Sequence, residues 1–295
     1  MRFVLTDEQR DFASALESLL SSADVVAAAR AWADGDASLG LTLWSRLAGL
    51  GVSDLARDAT PVELCVAFEA LGRHAVPGPW VESAAYLPVA LGREIKGVGT
   101  VALPPHVPYA LDADVSDEVW LELEDDAWPA NVGEMQRSVD PTRRLFELVA
   151  AAPVSTAALG PAFDLAVLAT SAQLLGLGEH LLEESVAFVK QRKQFGREIG
   201  SYQAIKHRLA DVRIALDFAR PLVFGAALDE VPTSAAKVAA GDAAYLAART
   251  ALQVHGAIGY TRELDLSLWI LKVRALVGAW GTPAHHRARV LEGLG

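Results

Sequence analysis

The chain has 295 residues, 52% of them hydrophobic, and a formal net charge of -11 at pH 7. This length suffices for about two domains with a large core, and the acidic balance argues against nucleic acid or an anionic membrane surface as a partner. Cys65 is the only cysteine, which excludes an intrachain disulfide and predicts, given its apolar neighbours, a buried reduced thiol in the cytoplasm. The opening residues lack the apolar segment of a secretory signal.

Residues 1–96 are predicted to form an N-terminal domain of short helices. Thr6 with Gln9, and Thr60 with Glu63, fit the capping box that begins a helix, and a proline follows the second threonine at the favoured first position. Apolar residues recur at helical spacing behind these starts. We therefore expect at least two helices whose first residues can be named.

Residues 97–153 are predicted to form a small middle β domain, because prolines punctuate short apolar and β-branched runs there. Strands are predicted at Val98–Leu103, Val119–Leu123 and Leu145–Ala150. The acidic run Asp112–Asp126 is predicted to be a solvated face and a turn.

Residues 154–295 are predicted to form a helical bundle. The apolar stretch Ala157–Leu182 contains a proline and several polar residues, which favours a core helix over a membrane span. This helix is expected to end at Phe195-Gly196, and Pro221 to kink or break the next one. The alanine-rich helix Thr233–Val254 favours close packing. The predicted fold class is mostly α with a small β region.

The stretch Gln191–Gln203, which reads QRKQFGREIGSYQ, joins two predicted helices through a tight turn. The guanidinium of Arg192 suits a pyrophosphate, Phe195 offers a flat apolar face, and the Gln203 amide opens the next helix, where it can reach a ring or a ribose. An ordinary basic helix end followed by a loop would give the same short pattern.

A second stretch, Gln253–Glu263, reads QVHGAIGYTRE. Gly256 and Gly259 end the alanine-rich helix and let backbone amides approach an anion closely. His255 is interpreted as a helix-end residue, because no Cys, Asp or second His stands at metal-ligand spacing. No metal site is predicted.

In this order, the two stretches resemble the flavin-contacting segments of the acyl-CoA dehydrogenases, the second of which is usually written QxxGGxGY. The resemblance covers essentially the whole chain, including the SVDPTRRL segment at Ser138–Leu145. It implies the acyl-CoA dehydrogenase-like order of N-terminal helices, a β domain that is reduced here, and a C-terminal four-helix bundle. It also implies FAD as the cofactor, with contacts from Arg192, Gln194, Phe195, Gln203, Gln253, Val254, His255, Gly256, Ala257 and Thr282.

The chain departs from this family at the catalytic base. The family's enzymes remove the α-proton of an acyl thioester with a carboxylate while a hydride passes to the flavin. Their usual base, a Glu before a Gly-Thr pair, corresponds to Trp280, and the alternative position corresponds to Ala166. Asp164 is a weak candidate for a rescue base, and Ala257 replaces the second glycine of the flavin motif. No catalytic residue is assigned to this chain.

The contacts that remain are those that in this family serve the flavin of a neighbouring protomer. The resemblance therefore implies a short subunit that pairs with a longer homologous acyl-CoA dehydrogenase subunit in a cytoplasmic α2β2 heterotetramer. The partner would supply the base, an acyl-CoA such as a steroid-derived one would be the substrate, and an electron-transfer flavoprotein or similar carrier the acceptor. Two alternatives stay open: a flavin-free scaffold subunit, and a homomeric flavin enzyme with an unrecognised base.

Overall fold

The computed structural model describes residues 4–123, 126–151 and 159–294. Its N-terminal part is helical, and both predicted capping boxes are confirmed, since Thr6 and Thr60 exchange hydrogen bonds with Gln9 and Glu63. Cys65 is fully buried, as predicted, and burial raises the pKa of its thiol. The helices are α1 (Asp7–Ser22), α2 (Val25–Ala33), α3 (Ser38–Ala48), α4 (Leu55–Asp58), α5 (Pro61–Arg73) and α6 (Leu87–Ala90).

A five-stranded sheet follows, with the spatial order β1-β3-β4-β5-β2. The strands β1 and β3 are parallel and the other neighbours antiparallel. The three predicted strands are confirmed as β1, β3 and β5. The strand β2 was not predicted because it has only two residues, and β4 because charged residues, a proline and a glycine interrupt its apolar pattern. The strands are β1 (Gly99–Ala102), β2 (Ala110–Leu111), β3 (Glu118–Leu123), β4 (Asp126–Gln136) and β5 (Leu145–Ala150).

The prediction that the acidic run Asp112–Asp126 is solvated is wrong for its first residue. Asp112 is fully buried, because its Oδ1 accepts hydrogen bonds from the indole of Trp32 (2.9 Å) and from the backbone and guanidinium of Arg144 (3.2 and 3.3 Å). Burial nevertheless raises its pKa to about 6. Part of the run also belongs to β3, and residues 124–125 lie outside the described part of the chain.

The C-terminal part is again helical, and its long first helix is the centre of the molecule. That helix, α7, is long and apolar enough to cross a membrane, but 83% of its most apolar window is buried against the protein itself, as expected of a core helix. The predicted domain boundary at 153/154 falls in residues 152–158, outside the described ranges, and the division at 96 and 153 stays a prediction. The helices are α7 (Leu159–Gln191), α8 (Gln203–Ala227), α9 (Thr233–His255), α10 (Ser267–Leu276) and α11 (Pro283–Glu292).

Two predicted helix boundaries are corrected. The helix α7 ends at Gln191, four residues before Phe195, because the chain turns into a hairpin there. Pro221 does not break α8, which runs through it from Gln203 to Ala227. The buried side chains of Val212, Leu216 and Val223 hold α8 in the core on both sides of the proline, and this packing outweighs one lost backbone hydrogen bond.

The helices α5 and α7 touch backbone to backbone. A Cβ added at Gly176 would lie far inside the van der Waals radius of the Glu69 carbonyl oxygen, and one added at Gly72 would meet the Gln173 carbonyl in the same way. Each glycine thus faces the backbone of the other helix. Any side chain at either position would push the two helices apart.

We therefore expect Gly176→Ala to destabilise the fold by about 3 kcal/mol, since neither backbone can yield without moving a packed helix. The matched control is Gly241→Ala in α9, where an added Cβ meets no atom within 4 Å and alanine should stabilise the helix by about 0.5–1 kcal/mol. Urea unfolding of both variants measures the difference. Equal stability of the two variants would contradict the close approach of α5 and α7.

Candidate functional site

The first predicted flavin stretch forms a two-stranded hairpin on the surface. Its strands are β6 (Lys193–Gln194) and β7 (Arg197–Glu198), joined by Phe195 and Gly196 at φ +54° and +82°. Two consecutive left-handed residues give the tight turn that suits the twist of a hairpin. The left-handed Gly196 thus serves a hairpin turn instead of the predicted helix end. Phe195 at the tip is 91% exposed.

Arg192 lies between the end of α7 and this hairpin. Its backbone is anchored on both sides, because its N–H donates to the Phe188 carbonyl (2.9 Å) and its carbonyl accepts from the Ile199 N–H (2.8 Å). Its side chain is exposed, as are those of Gln194 and Gln203. A fixed backbone with a free guanidinium is what an anion site on a surface requires.

The second predicted stretch packs directly beneath the hairpin. Val254 forms a small apolar cluster with Val189 and Ile199, and the His255 ring lies 4.1 Å from that of Phe188. His255 is buried and its Nδ1 lies 2.8 Å from the Ala251 carbonyl oxygen. The histidine is therefore a packed helix-end residue, and neither its ring nor the Val254 side chain faces a ligand. Within the described residues, no group of three His, Cys, Asp or Glu could hold a metal ion.

The exposed atoms of this stretch lie at the end of α9. Gly256 follows the last helical residue with φ +64°, and an added Cβ there would meet nothing within 4 Å. Gln253 and Ala257 are exposed beside it. The structure thus brings nine of the ten predicted contacts to one surface, two of them as its buried support. We call this surface the hairpin face; it comprises Arg192, Gln194, Phe195, Gln203, Gln253, Val254, His255, Gly256 and Ala257.

Thr282, the tenth predicted contact, lies far from the hairpin face. It caps α11, where its hydroxyl accepts the His285 N–H (3.2 Å). That helix meets the beginning of α9, since the hydroxyl of Ser234 lies 3.0 Å from Nδ1 of His286, whereas the hairpin face lies at the end of α9. The 21 residues from Ser234 to His255 span about 30 Å of helix. The two halves of the predicted site are therefore separated in this chain.

Trp280, at the predicted base position, is buried among aromatic side chains. The indole is 1% exposed, and its ring centroid lies 4.9 Å from that of Tyr86 and 6.1 Å from that of Phe163. The residue adopts φ +55°, a conformation that is unfavourable for a bulky side chain. The indole is therefore packed within a cluster of aromatic rings.

A polar network holds this turn in place. The Nζ of Lys237 donates to the carbonyls of Leu276, Val277 and Ala279 at 2.9–3.2 Å, which satisfies the end of α10. Burial lowers the pKa of Lys237 to about 7. The Nε2–H of His286 donates to the Trp280 carbonyl (2.8 Å), and burial lowers the pKa of this imidazole to about 4, so the ring is a neutral donor.

Neither predicted base position nor Asp164 offers a buried carboxylate. Ala166 is fully buried within α7. Asp164, the weak candidate for a rescue base, is not buried. Its side chain is 39% exposed, its Oδ1 lies 2.8 Å from the Arg289 guanidinium, and it accepts a hydrogen bond from the Thr233 hydroxyl (3.1 Å). This aspartate joins α7, α9 and α11 as an ion pair.

Glu82 is a buried carboxyl that sequence reasoning missed. It begins a single turn of π-helix at Glu82–Tyr86, is 1% exposed, and its oxygens lack a hydrogen-bond partner of good geometry among the described residues. Burial raises its pKa, with the Arg143 charge and the nearby Trp280 side chain opposing this shift. Such π-turns are frequent at functional sites. The sequence feature that could have revealed Glu82 is an acidic residue within an apolar run.

We expect Glu82 to make the protein less stable as pH rises. Its folded pKa lies above the ordinary 4.5, so between these two values the unfolded chain releases a proton that the folded chain keeps. Stability is therefore favoured below pH 4.5 and decreases as pH rises towards the folded pKa. Glu82→Gln should remove this component, which melting temperatures of both proteins at pH 5 and pH 7 would show. An identical pH dependence of the two proteins would contradict the neutral buried carboxyl.

Comparison with known proteins identifies the C-terminal part of the chain. Residues 157–295 match the model of the acyl-CoA dehydrogenase C-terminal domain. Acyl-CoA dehydrogenase IpdE2 of Mycobacterium tuberculosis is 32% identical over 66% of this chain, and the match spans 58% of that relative's length.

Two solved structures share the fold along nearly the whole chain. The ChsE4–ChsE5 complex of Mycobacterium tuberculosis superposes with a TM-score of 0.79 at 20% identity, covering 100% of this chain and 99% of that one. The Tcur3481–Tcur3483 steroid ACAD does so with a TM-score of 0.78 at 19% identity, covering 98% and 99%. At such identities these structures show the fold alone. The matched family model covers residues 157–295, and this part of the chain is an acyl-CoA dehydrogenase C-terminal domain.

Proposed function

We propose that this chain is the short subunit of a heteromeric, FAD-dependent acyl-CoA dehydrogenase that introduces an α,β double bond into an acyl-CoA. The observation that carries the proposal is the separation of its half-sites: the hairpin face is exposed and open, whereas Trp280 closes the other half about 30 Å away along α9. One protomer cannot bring both halves to the same flavin. The hairpin face would therefore serve a flavin held by a neighbouring subunit.

The hairpin face fits the cofactor that we assign to it. Arg192 presents an unencumbered guanidinium for a pyrophosphate, Gly256 leaves its backbone open to close approach, and Phe195 offers an exposed ring. When bound, FAD would supply the hydride acceptor of the desaturation. This chain's own contribution is to bind and orient FAD from one side and to exclude water with the tip of the hairpin.

The remainder of the reaction falls to the partner subunit. Within the described residues, the two family base positions are an indole and a methyl group, and Asp164 is held in an ion pair. A longer homologous subunit would provide the general base and the acyl pocket in an α2β2 assembly. The similarity to a complex of two named chains supports this assembly, and the similarity to a steroid acyl-CoA dehydrogenase supports a steroid-derived acyl-CoA as substrate. An electron-transfer flavoprotein would take the electrons, in the cytoplasm.

We expect Arg192→Ala to weaken FAD binding by the purified complex about tenfold or more, because a charge-assisted contact to a phosphate contributes about 1.5–3 kcal/mol. Arg192→Lys should restore binding only in part, since an ammonium cannot bind bidentately. The matched control is Arg46→Ala, which removes an exposed arginine of the N-terminal helix α3, outside the hairpin face. Fluorescence titration of the apo-complex with FAD measures each dissociation constant. A constant unchanged by Arg192→Ala would favour the flavin-free scaffold subunit.

The remaining alternative is a homomeric enzyme with its own base, and Glu82 is the specific candidate for that base. Its carboxyl is buried near Trp280, but it is sealed from solvent and has no open path to a substrate in this structure. We therefore expect Glu82→Gln and Asp164→Asn each to leave turnover of the complex within about threefold, whereas loss of a general base costs about a hundredfold or more.

Steady-state desaturation with a dye acceptor measures both variants, with bound FAD and melting temperature checked in each. A loss of turnover of about a hundredfold in Glu82→Gln, with FAD and fold intact, would make this chain the one that carries the base.

A further inference from the structure

A cavity lies between the sheet region and the end of α10. It has a volume of 240 Å³, equivalent to about eight waters. Its walls are the loop after β1, the segment that leads into β5, and the residues that follow α10 on the way to Trp280. This cavity shares no residue with the hairpin face.

The donors that line this cavity converge from two sides, and none of the described residues that line it carries a carboxylate. Arg137 and Arg143 come from the segment before β5, with the hydroxyl of Ser138 between them. His106 and Tyr109 face them from the other loop. Burial, together with the positive charge of neighbouring groups, lowers the pKa of His106, so its ring is a neutral donor at pH 7. In a chain with a net charge of -11, a cavity lined by two cations and no anion is selective for negative charge.

The two neighbouring arginines of this segment differ in their partners. Arg144 is buried and pairs with Asp112 (3.3 Å) and Asp114 (2.7 Å). Arg143 faces the cavity, is half-buried, and has no carboxylate within 4 Å among the described residues. Arg143 therefore lacks the direct ion pair that Arg144 has, although its charge still acts on the buried carboxyls of Glu82 and Asp112.

Two lysines stabilise the walls of this cavity. Lys272 of α10 donates to the Thr142 hydroxyl (2.7 Å) and lies 3.2 Å from Asp140 Oδ2, which fixes the segment that carries both arginines against α10. The carbonyls at the end of α10 would repel an anion. Three of them instead accept hydrogen bonds from Lys237.

From this arrangement we infer that the cavity between Arg137, Arg143 and the end of α10 is a binding site for a small anion, a carboxylate or phosphate group carried by a metabolite. Arg143 binds the charge and Arg137 closes over it from the exposed side. His106 and Tyr109 supply neutral hydrogen bonds. The site is independent of flavin binding at the hairpin face.

The test is a calorimetric titration of the purified complex with inorganic phosphate and, separately, with acetate at constant ionic strength. We expect saturable binding of at least one anion, weakened about tenfold or more by Arg143→Gln and by Arg137→Gln. Arg249→Gln, which removes an exposed arginine elsewhere, should leave it unchanged. Stronger binding of phosphate would assign the site to phosphoryl groups, and stronger binding of acetate to carboxylates.

Absence of saturable binding of both anions would overturn the inference, as would equal affinities of the wild type and the Arg137→Gln variant. Arg137 is exposed, so its replacement leaves the fold intact even if Arg143→Gln does not.

Discussion

The backbone contact between α5 and α7 is the constraint on which the rest of the structure depends. Gly72 and Gly176 let the two helices meet without intervening side chains, and this places α7 in the middle of the molecule. On its other side Gly178 faces Leu216 of α8 and Ala244 of α9. With helices packed on both sides, α7 is a rigid rod of 33 residues, about 50 Å long.

This rod sets the distance between the two halves of the candidate site. Arg192 and the hairpin continue from its C-terminal end, whereas Phe163, near its N-terminal end, packs beside Trp280. Neither end can approach the other while the core is intact. The separation of the two halves is therefore a consequence of helix packing in the core, and no rearrangement of surface loops would remove it.

Much of this could be predicted from the sequence, because the signals were local. Helix starts at Thr6 and Thr60 depend on residues three positions apart, and the hairpin face is built from two continuous stretches. The exceptions depend on distant partners. Asp112 is buried because Trp32 and Arg144 reach it, and β4 exists because β3 and β5 flank it. The left-handed conformation of Gly196 was predicted correctly, but it was assigned to a helix end instead of a hairpin turn. A left-handed glycine suits both.

The backbone conformation of Trp280 shows how firmly its surroundings hold this residue. A bulky residue at φ +55° costs about 1–2 kcal/mol, and such strain persists only where the surroundings over-determine it. Here His286 and Lys237 hold the turn, and Tyr86 and Phe163 hold the ring. Trp280 is therefore a part of the packed core, held in a strained conformation by side chains from α7, α9, α11 and the π-turn.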